Sequence, residues 1–226
     1  VKPEHPHGVA ELPLRAGVTA AAPIDVEISR LPRTDGDLFG RERELSDLDR
    51  AWDGPGHKHV VTLVAWGGIG KTALVKHWLA RLADGGWRGA QRVFAWSFYS
   101  QGPRDEAAAS ADEFIAVLLA RYGDPDPTKG SPWDKGTRLA RLVREKRALL
   151  VLDGVEALQY PPGPEEARLK DPTLAALLCD LAAQNQGLCV ITTRLTLADL
   201  TPWERTTAPR VDLDALSDEA GAELLE

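Results

Sequence analysis

The chain has 226 residues and a mass of 24.5 kDa, which is enough for one large or two small domains. Hydrophobic residues make up 43%, so a core can be buried, and the net charge of −7 argues against nucleic-acid backbone binding as the main task of this segment. No stretch approaches the roughly 18 apolar residues of a membrane span, and no apolar signal segment follows Val1. We therefore expect a cytoplasmic chain that inserts into no membrane.

The first 36 residues are rich in proline, alanine and glycine and show no sustained period, so residues 1–36 are interpreted as a linker or an irregular N-terminal arm. Phe39, Gly40 and Arg41 then precede a helical stripe. Phe39 and the Gly40 backbone could wall an adenine beside Arg41. A simple helix-entry turn is equally consistent with these three residues.

Residues 65–72 read Ala-Trp-Gly-Gly-Ile-Gly-Lys-Thr, between the apolar run 60–64 and a helical pattern. Strand, glycine loop, Lys-Thr and helix is the order that phosphate binding needs, because loop N–H groups, a lysine charge and a helix N-terminus then surround the anion. The alternative is a glycine-rich turn before an ordinary helix. The candidate nucleotide-binding residues are Trp66, Gly67, Gly68, Ile69, Gly70, Lys71, Thr72 and Ala73.

One position departs from the strict phosphate-loop pattern G-x-x-x-x-G-K-[ST], whose first glycine falls on Ala65. Alanine is tolerable there if its φ angle is negative and costly if φ is positive.

Three polar residues follow later apolar strands. Asp153 ends the run 148–152 and is the candidate partner of Thr72 in holding Mg²⁺; a turn Asp-Gly is the alternative. Glu156 is the candidate base that polarises an attacking water, or else a surface residue at a helix start. Arg194, after the strand 188–192, is a candidate γ-phosphate contact, or else a solvated strand end. With Lys71, these form the candidate catalytic group.

Strand patterns at 59–65, 92–98, 148–152, 188–192 and 210–212 alternate with helical ones, including helices that open at Ser110, Ser131-Pro132 and Asp171-Pro172. This alternation predicts an α/β fold with a mainly parallel sheet flanked by helices. Since ligands of such sheets bind at the carboxyl ends of strands, the glycine loop, Asp153 and Arg194 should share one site. The strand before Arg194 should neighbour the glycine-loop strand.

These motifs together resemble the STAND class of P-loop ATPases, which includes the NACHT and NB-ARC modules. The resemblance rests on Phe-Gly-Arg-Glu at 39–42, Trp-Gly-Gly-Ile-Gly-Lys-Thr at 66–72, Leu-Val-Leu-Asp-Gly-Val-Glu at 150–156 and Ile-Thr-Thr-Arg at 191–194. It implies a three-layer P-loop NTPase domain over 37–212, followed at 213–226 by the truncated start of a helical lid subdomain that opens near Ser217.

The same resemblance implies a switch in a longer bacterial NLR-like protein of defence or regulation. ADP would hold a closed state, and exchange for ATP would permit self-oligomerisation, with slow ATP hydrolysis. Effector and sensor domains would lie outside this segment, and the choice of adenine over guanine rests on the resemblance alone.

Two other functions remain open from the residues. A constitutively turning-over P-loop ATPase or kinase would use the same loop, although no acceptor-binding motif is evident. A DNA-binding regulator is disfavoured by the acidic charge, and no direct nucleic-acid contact is expected in this segment.

Overall fold

The computed structural model describes residues 23–33, 38–99 and 111–216. Six strands and five α-helices are assigned there: β1 (Asp25–Arg30), α1 (Glu42–Asp53), β2 (Val60–Val64), α2 (Lys71–Asp84), β3 (Arg92–Ser97), α3 (Ala111–Arg121), α4 (Pro132–Arg144), β4 (Ala148–Asp153), α5 (Pro172–Ala183), β5 (Leu188–Thr193) and β6 (Arg210–Asp212). Short 3₁₀ turns lie at Gly86–Gly89, Val155–Leu158 and Ala198–Trp203.

The strands form one sheet in the order β1-β3-β4-β5-β2-β6, and all paired strands run parallel. The glycine-loop strand β2 therefore lies directly beside β5, as predicted. Since the strands are parallel, the residues that follow β2, β4 and β5 emerge at the same edge of the sheet.

Helices cover both faces of the sheet. A first core cluster packs α1 and α2 against one face and includes Trp52 and Trp78, both almost fully buried. A second cluster packs α3, α4 and α5 against the other face, around Phe94 and Phe114. Every residue of β4 and β5 is buried, which explains their continuous apolar sequences. The predicted three-layer architecture is confirmed.

The interpretation of residues 1–36 as an irregular arm is wrong for 25–30. Here β1 pairs in parallel with β3, and Arg30 lies 4.0 Å over the Trp96 ring. The strand forms a sheet edge, and Val26 and Ile28 remain 36% exposed. It therefore alternates apolar and polar residues over a short span and lacks the long apolar run by which the central strands were found.

Two predicted helix starts are confirmed. Ser131 forms a capping box with Asp134 at the start of α4, and the Asp171 side chain accepts a hydrogen bond from the Leu174 N–H at the start of α5. The predicted cap at Ser110 and the lid helix from Ser217 lie outside the described residues, and the domain limits stay predictions.

Among the described helices, none combines the length and apolar composition needed to cross a bilayer. Cys179 and Cys189 are both free thiols, and Cys189 is buried in β5.

Candidate nucleotide-binding site

The loop between β2 and α2 has the backbone of a phosphate cradle. Gly68 and Gly70 have φ angles of 82° and 90°, and Gly70 forms the N-cap of α2. A Cβ atom at either position would meet nothing within 4 Å, so the left-handed backbone, rather than lack of space, favours glycine there. The first N–H groups of α2 have no acceptor within the helix and lie where an anion would be stabilised.

Ala65 fits this loop in place of the first motif glycine. It is absent from the described residues with positive φ, so its backbone imposes no penalty on a side chain. Its N–H donates to the Thr193 carbonyl at 3.2 Å, which joins the loop to the end of β5. The departure from the strict motif therefore leaves the loop intact.

Lys71, at the first position of α2, is only 7% exposed and bends back over its own loop. Its Nζ donates to the Ala65 carbonyl at 2.6 Å and to the Trp66 carbonyl at 3.0 Å. Burial lowers the pKa of Lys71, while the Glu156 carboxylate acts in the opposite direction. The ammonium group is therefore partly desolvated beside two neutral acceptors, an environment in which an anionic ligand is attractive.

Asp153, at the end of β4, is 1% exposed and accepts hydrogen bonds from three hydroxyl groups. Thr72 Oγ1 and Thr192 Oγ1 donate to its Oδ1 at 2.8 and 2.7 Å, and Ser97 Oγ donates to its Oδ2 at 3.0 Å. The fold thus brings Thr72 into contact with Asp153, which lies 81 positions later in the chain. The sequence motifs predicted that these two residues are partners.

A hydroxyl and a carboxylate in contact fit the oxygen-only donor set of Mg²⁺, which commonly takes few protein ligands beside phosphate and water. Within the described ranges, no group of three or more His, Cys, Asp or Glu side chains forms a metal cluster. Thr72 and Asp153 are suitably placed to hold Mg²⁺, and this metal role stays a prediction.

Glu156 lies in the 3₁₀ turn that follows Gly154. Its Oε1 accepts the Arg194 Nε at 2.9 Å and also the Tyr99 hydroxyl, while its Oε2 is buried with no hydrogen-bond donor among the described residues. The candidate base and the candidate phosphate contact are thus joined in one ion pair.

Arg194 leaves the carboxyl end of β5 and reaches the glycine loop. A Cβ at Gly67 would lie 3.1 Å from the Arg194 Cζ, so Gly67 makes room for the guanidinium. Buried Gln159 fixes this strand end, because its Oε1 accepts from Thr193 Oγ1 at 2.6 Å and its Nε2 donates to the Thr196 carbonyl at 2.7 Å. The sequence did not indicate Gln159.

A cleft of about 300 Å³ lies over the glycine loop and Arg194, whereas Asp153 and Glu156 are not part of its lining. Its lining includes Tyr99 and Thr192, neither of which the sequence motifs indicated. Thr192 lies near the carboxyl end of β5 and Tyr99 lies two residues past the carboxyl end of β3, so polar residues at these two ends were the available signal. The predicted residues that line the cleft are Gly67, Gly68, Gly70, Lys71, Thr72, Ala73 and Arg194.

Other predicted residues lie outside this lining. Trp66 is 83% exposed and borders a wider neighbouring cleft, rather than packing over the loop. Phe39 is half-buried, Gly40 is exposed, and neither they nor Ile69 line the smaller cleft. Their proposed contacts with nucleotide stay predictions.

Arg41 is 4% exposed and is engaged by protein groups. Its guanidinium pairs with Glu44 at 2.9 Å and donates to the carbonyls of Ile69 at 3.3 Å and Asp214 at 2.8 Å. In this structure Arg41 supports the glycine loop from behind, and its predicted nucleotide contact stays a prediction.

Comparisons with solved structures find similar chains at low identity. The chain is similar to the ORC1 protein of Aeropyrum pernix in complex with DNA, at 21% identity over 84% of this chain and 49% of that one, with a TM-score of 0.48. The ORC2 protein of the same organism, in ADPNP-ADP complexes, matches at 17% identity over 78% of this chain and 48% of that one, with a TM-score of 0.47. A DNA replication initiation factor matches at 16% identity over 77% and 47%, with a TM-score of 0.43. The chain thus spans about half the length of these proteins.

No curated protein sequence matches the chain. A family model described as the AAA ATPase domain matches residues 37–191, which is more than half of the chain and includes the phosphate loop and Asp153. With the parallel sheet and the Lys71–Thr72–Asp153 geometry described above, this match leads to one conclusion: the chain belongs to the AAA ATPase domain family.

Proposed function

We propose that this AAA ATPase domain is the nucleotide-binding switch of a STAND-type signalling ATPase, with ADP bound at rest and ATP driving self-oligomerisation. The observation that carries the proposal is the Glu156–Arg194 ion pair at 2.9 Å, directly above the phosphate loop. A site that hydrolyses ATP steadily needs a base that no other group neutralises. Here Glu156, the candidate base, is already neutralised by Arg194, the candidate γ-phosphate contact.

ADP and ATP would share most of their contacts. The loop amides and Lys71 would bind the phosphates that both nucleotides carry, and Thr72 with Asp153 would hold Mg²⁺. Mg²⁺, when bound, neutralises phosphate charge. Arg194 is 51% exposed at the cleft and would distinguish the nucleotides through the γ-phosphate. Only such a differential contact allows ATP to shift a conformational equilibrium.

Hydrolysis would require Glu156 to accept a proton from water. The water oxygen would bond to the γ-phosphorus while the bond to the β–γ bridging oxygen breaks and ADP leaves with that electron pair. Because Oε1 of Glu156 carries both the Arg194 and Tyr99 contacts, we expect this step to be slow.

A conformational change caused by ATP would be transmitted out of the domain through the chain that follows β6. Leu213 donates its N–H to the Val64 carbonyl at 2.9 Å, and the Asp214 carbonyl is bound by Arg41. This segment therefore contacts both the glycine-loop strand and the residue behind the loop. The proposed effector and sensor domains and the role in bacterial defence or regulation rest on the sequence resemblance, and the proposed cytoplasmic location rests on the composition of the sequence.

Mass spectrometry of nucleotide released from the purified chain, followed by single-turnover ATP hydrolysis, tests this function. We expect released ADP and a turnover slower than the 1–100 s⁻¹ order that is typical of kinases. Rapid multiple turnover would instead support a constitutively active ATPase or kinase, and loss of all nucleotide binding would remove both functions.

A further inference from the structure

Tyr99 completes a closed set of contacts around Glu156. It lies two residues after the end of β3, and its hydroxyl donates to the same Oε1 atom of Glu156 that pairs with Arg194. A phenol that donates to the Glu156 carboxylate restrains it in the position where it pairs with Arg194.

The Tyr99 ring packs against the backbone of Gly154, which has no side chain to block it. Gly154 has a φ angle of 76°, and a Cβ atom there would lie 2.5 Å from Tyr99 Cε2. Both the conformation and the space therefore favour glycine at 154, and the ring packs onto the residue that follows Asp153. The position of Tyr99 is set by the sheet, since β3 and β4 pair in register at Ser97 and Asp153.

Tyr99 is a neutral donor over the physiological pH range. Burial, together with the hydrogen bond to Glu156, raises the pKa of Tyr99 to about 12. The hydroxyl thus keeps its proton and donates it to the carboxylate. Tyr99 and Arg194 remain 37% and 51% exposed, so a ligand in the cleft can reach both.

We propose that Tyr99 is a positioning residue that latches Glu156 onto Arg194, so that a γ-phosphate must displace Glu156 to bind Arg194 and in doing so frees the Glu156 carboxylate. This latch rests on the proposed function and specifies how its site is regulated. The Nε atom that pairs with Glu156 is also, with Nη2, among the Arg194 atoms nearest Gly67 of the phosphate loop, so a γ-phosphate oxygen and the Glu156 carboxylate are competing acceptors for that side of the guanidinium. A single exchange of partners therefore links recognition of ATP to release of the base.

The first test is Tyr99→Phe, which keeps the ring on Gly154 and removes only the hydroxyl. Calorimetry would compare ADP with β,γ-imido ATP, and single-turnover assays would follow ATP. We expect unchanged ADP affinity, about three- to tenfold tighter imido-ATP binding and faster hydrolysis, a change of the size that one hydrogen bond of ordinary strength contributes. Tyr160→Phe is the matched control: Tyr160 is equally exposed and lies on the proline-rich loop outside the smaller cleft.

The second test separates the latch from simple charge repulsion. Glu156→Gln should tighten imido-ATP binding because it removes the competitor for Arg194, and this gain should disappear when Arg194→Gln is already present. Repulsion between Glu156 and phosphate would instead persist in the double variant.

The latch is overturned if Tyr99→Phe leaves the imido-ATP to ADP affinity ratio and the hydrolysis rate unchanged, if it slows hydrolysis, or if the Glu156→Gln gain survives in the Arg194→Gln background. If the protein binds nucleotide and shows any of these results, only the latch is refuted. If the protein binds no nucleotide, the proposed function is refuted as well.

Discussion

The ammonium group of Lys71 lies between two loop carbonyls at the base of the cleft. It is the one lysine in the lining, and it adjoins Thr72, whose hydroxyl contacts Asp153. Binding of a phosphate would replace neutral acceptors by a charged one, which strengthens the hydrogen bonds of an ammonium group.

Lys71→Ala should therefore weaken Mg²⁺-ADP binding by about 10- to 100-fold, the loss expected for one charge-assisted hydrogen bond. Isothermal calorimetry measures this directly. Lys76→Ala is the control, since Lys76 lies in the same helix but donates to the Pro32 carbonyl at 2.8 Å, outside the cleft. Equal affinity of the Lys71 variant and the unmodified chain would contradict the assignment of the site.

Single residues differ in how far the sequence predicts them. Lys71 and Thr72 belong to one contiguous motif, and Asp153 ends an apolar strand, so local pattern was enough. Tyr99 was not predicted from the sequence because its role depends on contacts with Gly154 and Glu156, which the pairing of β3 with β4 creates. The exposure of Trp66 was likewise undecidable from a motif that constrains only its neighbours.

At the level of elements, the contact between α4 and α5 shows how packing overrides helix propensity. Gly136 is buried within α4, where glycine is ordinarily about 1 kcal/mol less favourable than alanine. A Cβ atom there would lie 2.3 Å from the Thr173 carbonyl oxygen and 2.7 Å from the Ala176 Cβ. The glycine permits the two helices to approach closely.

Gly136→Ala should consequently lower the free energy of unfolding by about 1–3 kcal/mol, the usual cost of overpacking, although propensity alone predicts a gain. Urea denaturation measures the change. Thr137→Ala, at the adjacent exposed position, should raise stability by a few tenths of a kcal/mol. A Gly136 variant at least as stable as the unmodified chain would show that α4 and α5 are not packed in this way.

The sequence predicted whether a segment forms a helix or a strand wherever the side chains of that segment are well buried. The buried strands β2, β3, β4 and β5 were found from continuous apolar runs, and α4 and α5 from their caps. The edge strand β1 was missed because its exposed side chains provide little hydrophobic signal. The close approach at Gly136 depends on a partner helix and has no local signature.

On the scale of the whole molecule, Arg41 joins three separate segments. Its buried guanidinium connects the start of α1 through Glu44, the glycine loop through Ile69, and the chain that leaves β6 through Asp214. These carbonyls would lose their charged donor, and Glu44 its partner, if the guanidinium were removed. Arg41 thus connects the glycine loop, which would respond to nucleotide, to the chain that leaves β6.

Arg41→Ala should lower the free energy of unfolding by about 3 kcal/mol, as for other broken buried ion pairs. In a thermal melt this corresponds to a decrease of about 6–12 °C in Tm. Arg50→Ala, which removes a surface pair with Asp47, should change Tm by less than about 4 °C. Equal effects of the two variants would contradict a bridging role for Arg41.

The most direct measurement is a crystal structure of the chain grown with Mg²⁺ and excess ADP. We expect phosphate density within the 67–72 loop, with Lys71 Nζ moved from the carbonyls of Ala65 and Trp66 to a phosphate oxygen, and Mg²⁺ at Thr72. A loop without bound nucleotide under those conditions, with Lys71 still bonded to both carbonyls, would contradict it.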